Sequence, residues 1–110
     1  MPESFERGAL TEAVFYILLS VHTPMHGYAI MQSINDLTNS RVNLGAGTLY
    51  GALNTLSDKK WIAIHGECNS GRKKEYVITE LGKNVFTAEL ERLNELLDNA
   101  KKVLEEINYD

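Results

Sequence analysis

Cysteine and proline are scarce in this sequence, with one cysteine and two prolines among 110 residues. A single cysteine excludes an internal disulfide framework and suits a reducing cytosol. No apolar run is long enough to span a bilayer, and the first residues carry no signal-peptide pattern. We therefore expect a cytoplasmic protein of one domain's length with no membrane partner.

Catalytic and metal-binding motifs are missing as well. The sequence contains no nucleophile elbow, phosphate-binding loop, carboxylate pair or metal motif. His22 and His26 are four residues apart, but Pro24 between them breaks any helix that would bring both rings to one metal. With His65 and Cys68 they form a weak alternative, a metal sensor, whose spacings match no standard zinc pattern. We predict no enzyme, no cofactor and no metal site, and expect His26 to pack or to cap a helix.

Acidic residues outnumber basic ones, and the formal net charge is −4. This excess argues against a nucleic-acid partner, but its distribution argues the other way. Residues 80–110 hold eight acidic and four basic side chains, whereas residues 41–74 hold six basic and two acidic ones, a net +4. The positive field is therefore local, as contact with a phosphate chain requires.

The stretch from Asn43 to Ile62 is the centre of the chain. Leu49, Leu53 and Leu56 recur at spacings of four and three, which predicts a helix of about three turns with one apolar stripe. Its other face is small, polar and without acidic groups until Asp58. Each interior glycine costs a helix roughly 1 kcal/mol relative to alanine. Close approach of a DNA backbone is one reason to accept that cost. The alternatives are close packing against a neighbouring helix and a frayed start of the helix.

Two short strand-like runs follow, at residues 63–67 and 75–79, separated by a basic turn at residues 68–74. A helix followed by a hairpin with a basic tip describes a winged helix-turn-helix. In that fold the helix enters a DNA groove and the tip contacts phosphate. An ordinary solvated turn is the alternative for the tip.

Two further helices are predicted before the central one. Residues 7–21 are apolar almost all round, which indicates a helix buried on every side, and in so small a domain we expect a partner chain to cover part of it. Pro24 suits the first turn of a second helix over about His26–Leu37. Its inward-facing residues would be Ile30, Ile34 and Leu37. A tight turn at residues 39–40 would then give the helix-turn-helix spacing.

A long last helix is predicted from Thr79, a good N-cap, although Gly82 stands where a capping box would have glutamate. Beyond Gly82 there is neither proline nor glycine, and apolar residues repeat through three heptads. A helix of roughly 28 residues is roughly 42 Å long, longer than a small domain is wide. We predict a dimerisation helix. The alternatives are a helix folded back on its own domain and a stripe that lines a ligand pocket.

These residues resemble the PadR family of bacterial winged-helix transcriptional regulators, in the small form with a single C-terminal helix. The resemblance runs from about Gly8 to the end. It rests on the motifs His26-Gly27-Tyr28, Thr48-Leu49-Tyr50, Gly71-Arg72-Lys73-Lys74 and Tyr76-Val77-Ile78-Thr79, taken in order. It implies a homodimeric repressor that dimerises through its first and last helices. Some relatives stack flat aromatic compounds on an aromatic residue of the last helix, and the matching position here is Leu93.

We therefore predict a mainly α-helical fold with a small β-hairpin wing. Residues 1–79 would form the winged helix-turn-helix, whose first helix also joins the dimer interface, and residues 80–110 the dimerisation helix. The expected DNA contacts are Asn43, Gly47, Thr48, Tyr50, Gly51, Asn54, Arg72, Lys73 and Lys74. The expected dimer interface consists of Leu10, Val14, Phe86, Leu90, Leu93, Leu97, Ala100 and Leu104. The candidate ligand pocket is lined by Phe15, Phe86, Leu90 and Leu93.

The predicted function is transcription regulation by a homodimeric repressor that binds double-stranded operator DNA and is released by a small-molecule inducer. A winged-helix module that binds proteins and not DNA is the alternative, and the acidic total charge suits it. Asn54 is the best candidate for reading a base edge. Tyr50 has an alternative of its own, as a core tyrosine with a satisfied hydroxyl.

Overall fold

The structure is a computed structural model that describes residues 9–65 and 74–108. In chain order its elements are helix α1 (Glu12–Ser20), strand β1 (Met25–His26), helices α2 (Gly27–Leu37) and α3 (Ala46–Asp58), strands β2 (Ile62–Ile64) and β3 (Glu75–Ile78), and helix α4 (Glu80–Asn108). The mainly helical chain with a small antiparallel sheet confirms the predicted fold class, a winged helix-turn-helix followed by a long helix.

The sheet has three antiparallel strands in the order β1-β3-β2. Strands β2 and β3 form the predicted hairpin, with Ile62 opposite Ile78. Strand β1 was not predicted; its Met25 lies opposite Tyr76 on the other edge of β3. Two residues are too short to show the period-two pattern by which strands are recognised.

The start of α2 differs from the prediction. Pro24 was expected in the first turn of this helix, which is wrong, because the chain first pairs with β3 and the helix begins at Gly27. The His26 Nδ1 accepts a hydrogen bond of 3.3 Å from the Ala29 N–H. The capping role expected for His26 is therefore confirmed.

Helix α1 is shorter than predicted. The Thr11 hydroxyl oxygen accepts a hydrogen bond of 3.1 Å from a first-turn N–H, and this cap sets the start of the helix at Glu12. The predicted start at residues 7–8 lies outside the described residues. Ile17 and Leu18 are fully buried, but Leu19 is 38% exposed. Residues 9–65 and 74–108 therefore leave part of this apolar helix uncovered.

The core lies where α1, α2, α3 and the sheet meet. The α3 stripe of Leu49, Leu53 and Leu56 is at most 2% exposed, as predicted. Leu37, also expected to face inward, is 59% exposed, because the last turn of α2 extends past the core. The other buried apolar residues are Ile17, Leu18, Val21, Ile30, Ile34, Trp61, Ile62, Tyr76, Ile78 and Phe86.

Both helices of the helix-turn-helix end on a left-handed residue. At the end of α3, Lys60 has a φ of 67° and the Trp61 N–H donates to the Leu56 carbonyl at 3.0 Å. This is the 6→1 bond of a Schellman motif, in which glycine usually takes the left-handed position. At the end of α2, Asn39 and Ser40 have φ values of 53° and 66°. The turns stop each helix without glycine.

The start of α4 is fastened to the end of α3. The Thr79 Oγ1 accepts from the Gly82 N–H at 3.0 Å, which confirms the predicted N-cap. The Thr79 hydroxyl donates to the Lys60 carbonyl at 2.7 Å, and its N–H donates to the Trp61 carbonyl at 2.9 Å. A Cβ on Gly82 would lie 2.1 Å from that Trp61 oxygen. This approach explains why glycine replaces the glutamate of a capping box.

Helix α4 extends beyond the body of the domain, which consists of α1, α2, α3 and the sheet. Phe86 and Glu89 are buried, but from residue 90 to residue 107 every side chain except that of Arg92 is exposed. The molecule reaches 64 Å along its longest axis. Although α4 is long, no helix within residues 9–65 and 74–108 is both long and apolar enough to cross a membrane.

Candidate nucleic-acid interface

One face of α3 collects the helix residues predicted to contact DNA. The leucine stripe fixes the opposite face in the core. The residues on the outer face are Gly47, Thr48, Tyr50, Gly51 and Asn54, all exposed. Asn43 is exposed just before the helix. The fold therefore places these six predicted residues on or next to one surface.

The glycines of this face have open space in front of them. A Cβ on Gly47 or Gly51 would have no atom of the described chain within 4 Å. Close packing against another helix of the same chain was the alternative explanation, and it is wrong for the described residues. Because glycine has no side chain, a group from outside the chain can approach the helix backbone closely at these positions.

The N-terminus of α3 is open to an anion. Its N-cap is Gly45, which has no side chain to accept hydrogen bonds from the first-turn N–H groups, and the first turn holds no acidic residue. Residues 45–48 are exposed. First-turn N–H groups and the positive end of the helix dipole attract negative charge. A DNA phosphate is an anion that meets this geometry.

Tyr50 lies at the edge of the α3 face and is 44% exposed. The alternative that it is a core tyrosine is therefore wrong. Its hydroxyl end lies against Gly27 of α2, where a Cβ would come within 2.2 Å of the oxygen. Burial raises the pKa of the Tyr76 phenol, and the nearby Tyr50 phenol raises it further. Tyr50 thus lies beside both α2 and the sheet while the residue as a whole stays partly exposed.

The basic wing tip is described only in part. Arg72 and Lys73, predicted to contact phosphate, lie outside the described residues. Lys74 is exposed directly before β3. It lies next to Glu75, which is paired with His26 in the sheet. Strand β3, the second strand of the wing, therefore begins beside the start of α2.

The positive charge of residues 41–74 is partly matched within the chain. Arg41 forms an exposed ion pair with Glu12. Direct hydrogen bonds between the two side chains lower the pKa of Glu12 and raise the pKa of Arg41. The Lys59 ammonium lies 5.2 Å from the centroid of the Trp61 ring. Arg41 therefore adds less to the local field than the residue count suggested.

The residues predicted for the dimer interface fall into two groups. Exposed on α4 are Leu90, Leu93, Leu97, Ala100 and Leu104. The partly or fully covered ones are Leu10, Val14 and Phe86. The Phe86 ring stacks on Phe15 at 4.8 Å and meets the His22 ring edge-on at 5.2 Å. Phe86 is thus a core residue of its own chain that offers little surface to a partner.

The candidate ligand pocket divides in the same way. Phe15 and Phe86 are stacked at an interplanar angle of 29°, so each ring covers a face of the other. Leu90 and Leu93 are exposed on α4. A flat compound can therefore reach the two leucines, but not the space between the two rings.

A buried carboxylate on α4 was not predicted from the sequence. Glu89 is 3% exposed, accepts hydrogen bonds of 2.8 and 2.7 Å from Arg92, and accepts one of 3.3 Å from the Leu10 N–H. The Arg92 hydrogen bonds, followed by that of Leu10, lower the pKa of Glu89. The spacing of three residues between Glu89 and Arg92 was visible in the sequence. Its burial was not, because it depends on the chain before α1.

The histidines do not converge on a metal. The His22 Nδ1 lies 2.9 Å from the Leu18 carbonyl, His26 caps α2, and His65 is exposed after β2. Cys68 lies outside the described residues. Within the ranges that the structure describes, no group of three or more histidine, cysteine or acidic side chains is arranged to hold a metal ion.

Comparison with known proteins adds a family to this geometry. Residues 15–88 match the Transcriptional regulator PadR-like family. An uncharacterized protein of Lysinibacillus sphaericus is 34% identical over 79 residues, or 70% of this chain and 71% of that protein. An uncharacterized protein in a transposon of Streptomyces fradiae is 32% identical over 88 residues, or 78% of this chain but only 24% of that protein. The crystal structure of a PadR family transcriptional regulator from Eggerthella lenta has a TM-score of 0.72 and 25% identity, covering 96% of this chain and 89% of that one.

Proposed function

This chain belongs to the transcriptional regulator PadR-like family, and we propose that it binds double-stranded operator DNA as a homodimer and represses transcription. The family consists of transcription regulators and not of enzymes. In this proposal residues 1–79 bind DNA and contribute α1 to the dimer interface, while residues 80–110 hold the two subunits together.

The exposed face of α3 carries the proposal. It is small, uncharged and open at Gly47 and Gly51, and its opposite face is anchored in the core. Because this face carries no acidic side chain, the helix can enter a major groove without repelling the DNA phosphates. Asn54 can hydrogen-bond an adenine edge, while Thr48 and Tyr50 position the helix against the backbone. Arg72, Lys73 and Lys74 supply phosphate contacts from the wing.

The apolar stripe of α4 supports the homodimer. Leu93, Leu97 and Leu104 are between 38% and 56% exposed, and they repeat at the heptad spacings of a two-helix seam. A second copy of the same helix offers a matching surface, because symmetric dimers use one patch twice. Leu19 of α1 is a further exposed apolar residue, which agrees with the proposed contribution of α1 to the interface.

Release by an inducer is the remaining part of the proposal. The compound would lie between subunits against Leu90 and Leu93, next to the Phe15–Phe86 stack. The exposed apolar surface at these leucines supports this placement. A structure of the dimer with a bound inducer at any other place would remove these residues from the ligand site.

Selection of bound duplexes from a random DNA pool tests the function and supplies the operator. Fluorescence-anisotropy titrations at several salt concentrations then compare the selected duplex with a scrambled one. We expect tighter binding to the selected duplex and a steep loss of affinity with salt. An absence of binding to any duplex at low salt would favour the protein-interaction module instead.

Two variants separate the wing from the helix. Arg72→Ala should weaken binding to both duplexes and flatten the slope of log affinity against log salt by about 0.9, since one phosphate contact is lost. Asn54→Ala should reduce the preference for the selected duplex by roughly 1–3 kcal/mol and leave the salt slope almost unchanged. The reverse pattern would show that the two surfaces are assigned the wrong way round.

A further inference from the structure

Gly27 stands at the first position of α2 and is buried. A Cβ at this position would lie 2.2 Å from the hydroxyl oxygen of Tyr50, 2.6 Å from its Cζ and 2.8 Å from its Cε1. Real Cβ atoms do not come so close to other heavy atoms, so the Tyr50 ring occupies the space that any other residue at this position would need. The atoms in conflict are at the far end of a side chain with two torsions. A methyl group would therefore displace the ring and leave the backbone in place.

Gly27 cannot move away from the ring, because the chain on its N-terminal side is held. Met25 and His26 pair with Tyr76 and Glu75 of β3. His26 also caps the first turn of α2 through its ring nitrogen. The backbone at Gly27 is thus fixed by the wing strand and by the helix cap together. This rigid backbone surface at Gly27 supports the end of the Tyr50 side chain and is termed its seat.

The seat leaves Tyr50 on the face that is proposed to meet DNA. Tyr50 as a residue is 44% exposed, and Thr48, Gly51 and Asn54 are exposed beside it on α3. A tyrosine side chain without such a seat would sample other rotamers, and fixing it on binding would cost affinity. A preset ring avoids that cost and places the hydroxyl end at one position relative to the helix.

We propose that Gly27 is a positioning residue for DNA recognition, which holds the Tyr50 ring in the orientation that contacts the operator. The inference depends on the proposed function and on Tyr50 as a DNA contact. It also gives β1 a role, because the pairing of β1 with the wing strand keeps the seat in register with α3. Gly27 acts through Tyr50 and touches no DNA.

A double-mutant cycle tests this relation directly. Gly27→Ala, Tyr50→Ala and the double variant are titrated by fluorescence anisotropy against the duplex recovered by selection and against its scrambled version. We expect each single variant to bind the selected duplex about tenfold more weakly, or about 1.4 kcal/mol. Once Tyr50→Ala is present, adding Gly27→Ala should change the affinity by less than about twofold, because the side chain that needs the seat is gone.

If Gly27→Ala folds too poorly for a binding measurement, the melting temperatures of the same four proteins test the inference instead. Alanine is a better helix former than glycine, so Gly27→Ala should raise the melting temperature in the Tyr50→Ala background. In the wild-type background the conflict with the ring should remove or reverse that gain. Recovery of folding in the double variant would itself identify the Tyr50 ring as the group in conflict.

The outcomes separate the inference from the function on which it rests. If the wild-type protein binds no duplex, the proposed function fails and the inference fails with it. If the wild type binds and Tyr50→Ala binds equally well, Tyr50 is not a contact and only the inference is overturned. The inference is also overturned if Gly27→Ala weakens binding equally in both backgrounds, because Gly27 would then act independently of Tyr50.

Discussion

The body of the domain and the far half of α4 use the same residue types with opposite results. Leu49, Leu53 and Leu56 of α3 are at most 2% exposed, whereas Leu97 and Leu104 of α4 are 53% and 56% exposed. Full burial of one leucine is worth about 1.5–3 kcal/mol. The α3 stripe therefore stabilises a single chain, whereas the described residues leave the α4 stripe uncovered, and it would contribute in the same way only in the proposed dimer. Helical periodicity predicts that a stripe will be covered, but the fold decides which molecule covers it.

The two regions meet at Glu89. This carboxylate is buried among groups of both: Arg92 of α4 on one side and the backbone N–H of Leu10 on the other. One turn earlier Phe86 is part of the core, and one residue later Leu90 is 46% exposed. The change from a helix packed on its own chain to an uncovered helix is therefore completed within about one turn.

The largest expected difference compares one substitution in the two regions. Leu53→Ala should lower the free energy of unfolding by about 2–5 kcal/mol, because it leaves a cavity in the core. Leu97→Ala, the matched control, should lower it by less than about 1 kcal/mol at protein concentrations where the chain is monomeric. Urea denaturation followed by circular dichroism measures both. Equal losses would contradict the division between a buried and an uncovered stripe.

The second prediction concerns assembly. The wild type should be a dimer at micromolar concentration, and Leu97→Glu should weaken dimerisation by about 2–3 kcal/mol, since it places a charge in an apolar seam. Sedimentation equilibrium measures the association constant. Lys102→Glu, a charge change at an exposed position of the same helix on the side away from the heptad stripe, serves as the control. A Leu97→Glu protein that remains as dimeric as the control would remove α4 from the interface.

The third prediction follows from the lowered pKa of Glu89. A carboxylate with a folded-state pKa below its unfolded value of about 4.3 stabilises the fold above that pH, and this contribution is lost as the pH falls through the folded-state pKa. Glu89→Gln should therefore cost about 1–2 kcal/mol at pH 7 through weakened charged hydrogen bonds, and less at about pH 3, below the unfolded-state value. Urea denaturation at both pH values measures the difference.

The control for this experiment is Glu95→Gln, which alters an exposed glutamate of the same helix. It should have little effect on stability at either pH. A loss for Glu89→Gln that stays the same at low pH would show that the charge of Glu89 contributes nothing to joining α4 to the body.

The smallest expected effect is a gain in stability at the junction of α3 and α4. Lys60 has a φ of 67°, a conformation that costs a residue with a Cβ about 1 kcal/mol and costs glycine almost nothing. Lys60→Gly should therefore raise the free energy of unfolding by about 1 kcal/mol. Lys59 has a φ of −78°, so Lys59→Gly should lower stability instead. Thermal unfolding of both variants measures the two changes in stability. A change in the same direction for both would contradict the prediction.

Much of the fold could be predicted from the sequence where a long periodic pattern was present. The central helix, the hairpin strands and the Thr79 cap of α4 were predicted close to their observed positions, and the bare outer face of α3 followed from the residues opposite the leucines. Strand β1 could not be predicted, because two residues carry no period and their pairing depends on β3, about 50 residues later. The exposure of Leu37 was missed, because the spacing from Ile34 matches the stripe and only the end of the core excludes it.

The candidate site likewise has features that local sequence patterns predict and features that depend on contacts between distant residues. The residue types on the α3 face are read directly from the helical period, whereas Arg41 was counted as free positive charge until its pairing with Glu12 was seen. The seat of Tyr50 on Gly27 was not visible either. It joins residues 23 positions apart in the chain, and no local pattern links a glycine at the start of one helix to a tyrosine in the next.

The sequence by itself determined which faces of α3 and α4 are apolar and which face of α3 is small and uncharged, because these properties depend only on residue order and a period of 3.6. Only the tertiary structure decided that the α3 stripe is buried, that Glu89 is enclosed and that Tyr50 rests on Gly27. Burial and close contact depend on which distant segments arrive at the same place. The end of β3 brings α4 against α1, so Phe86 and Glu89 are covered, and the rest of α4 extends beyond every other element of the described chain.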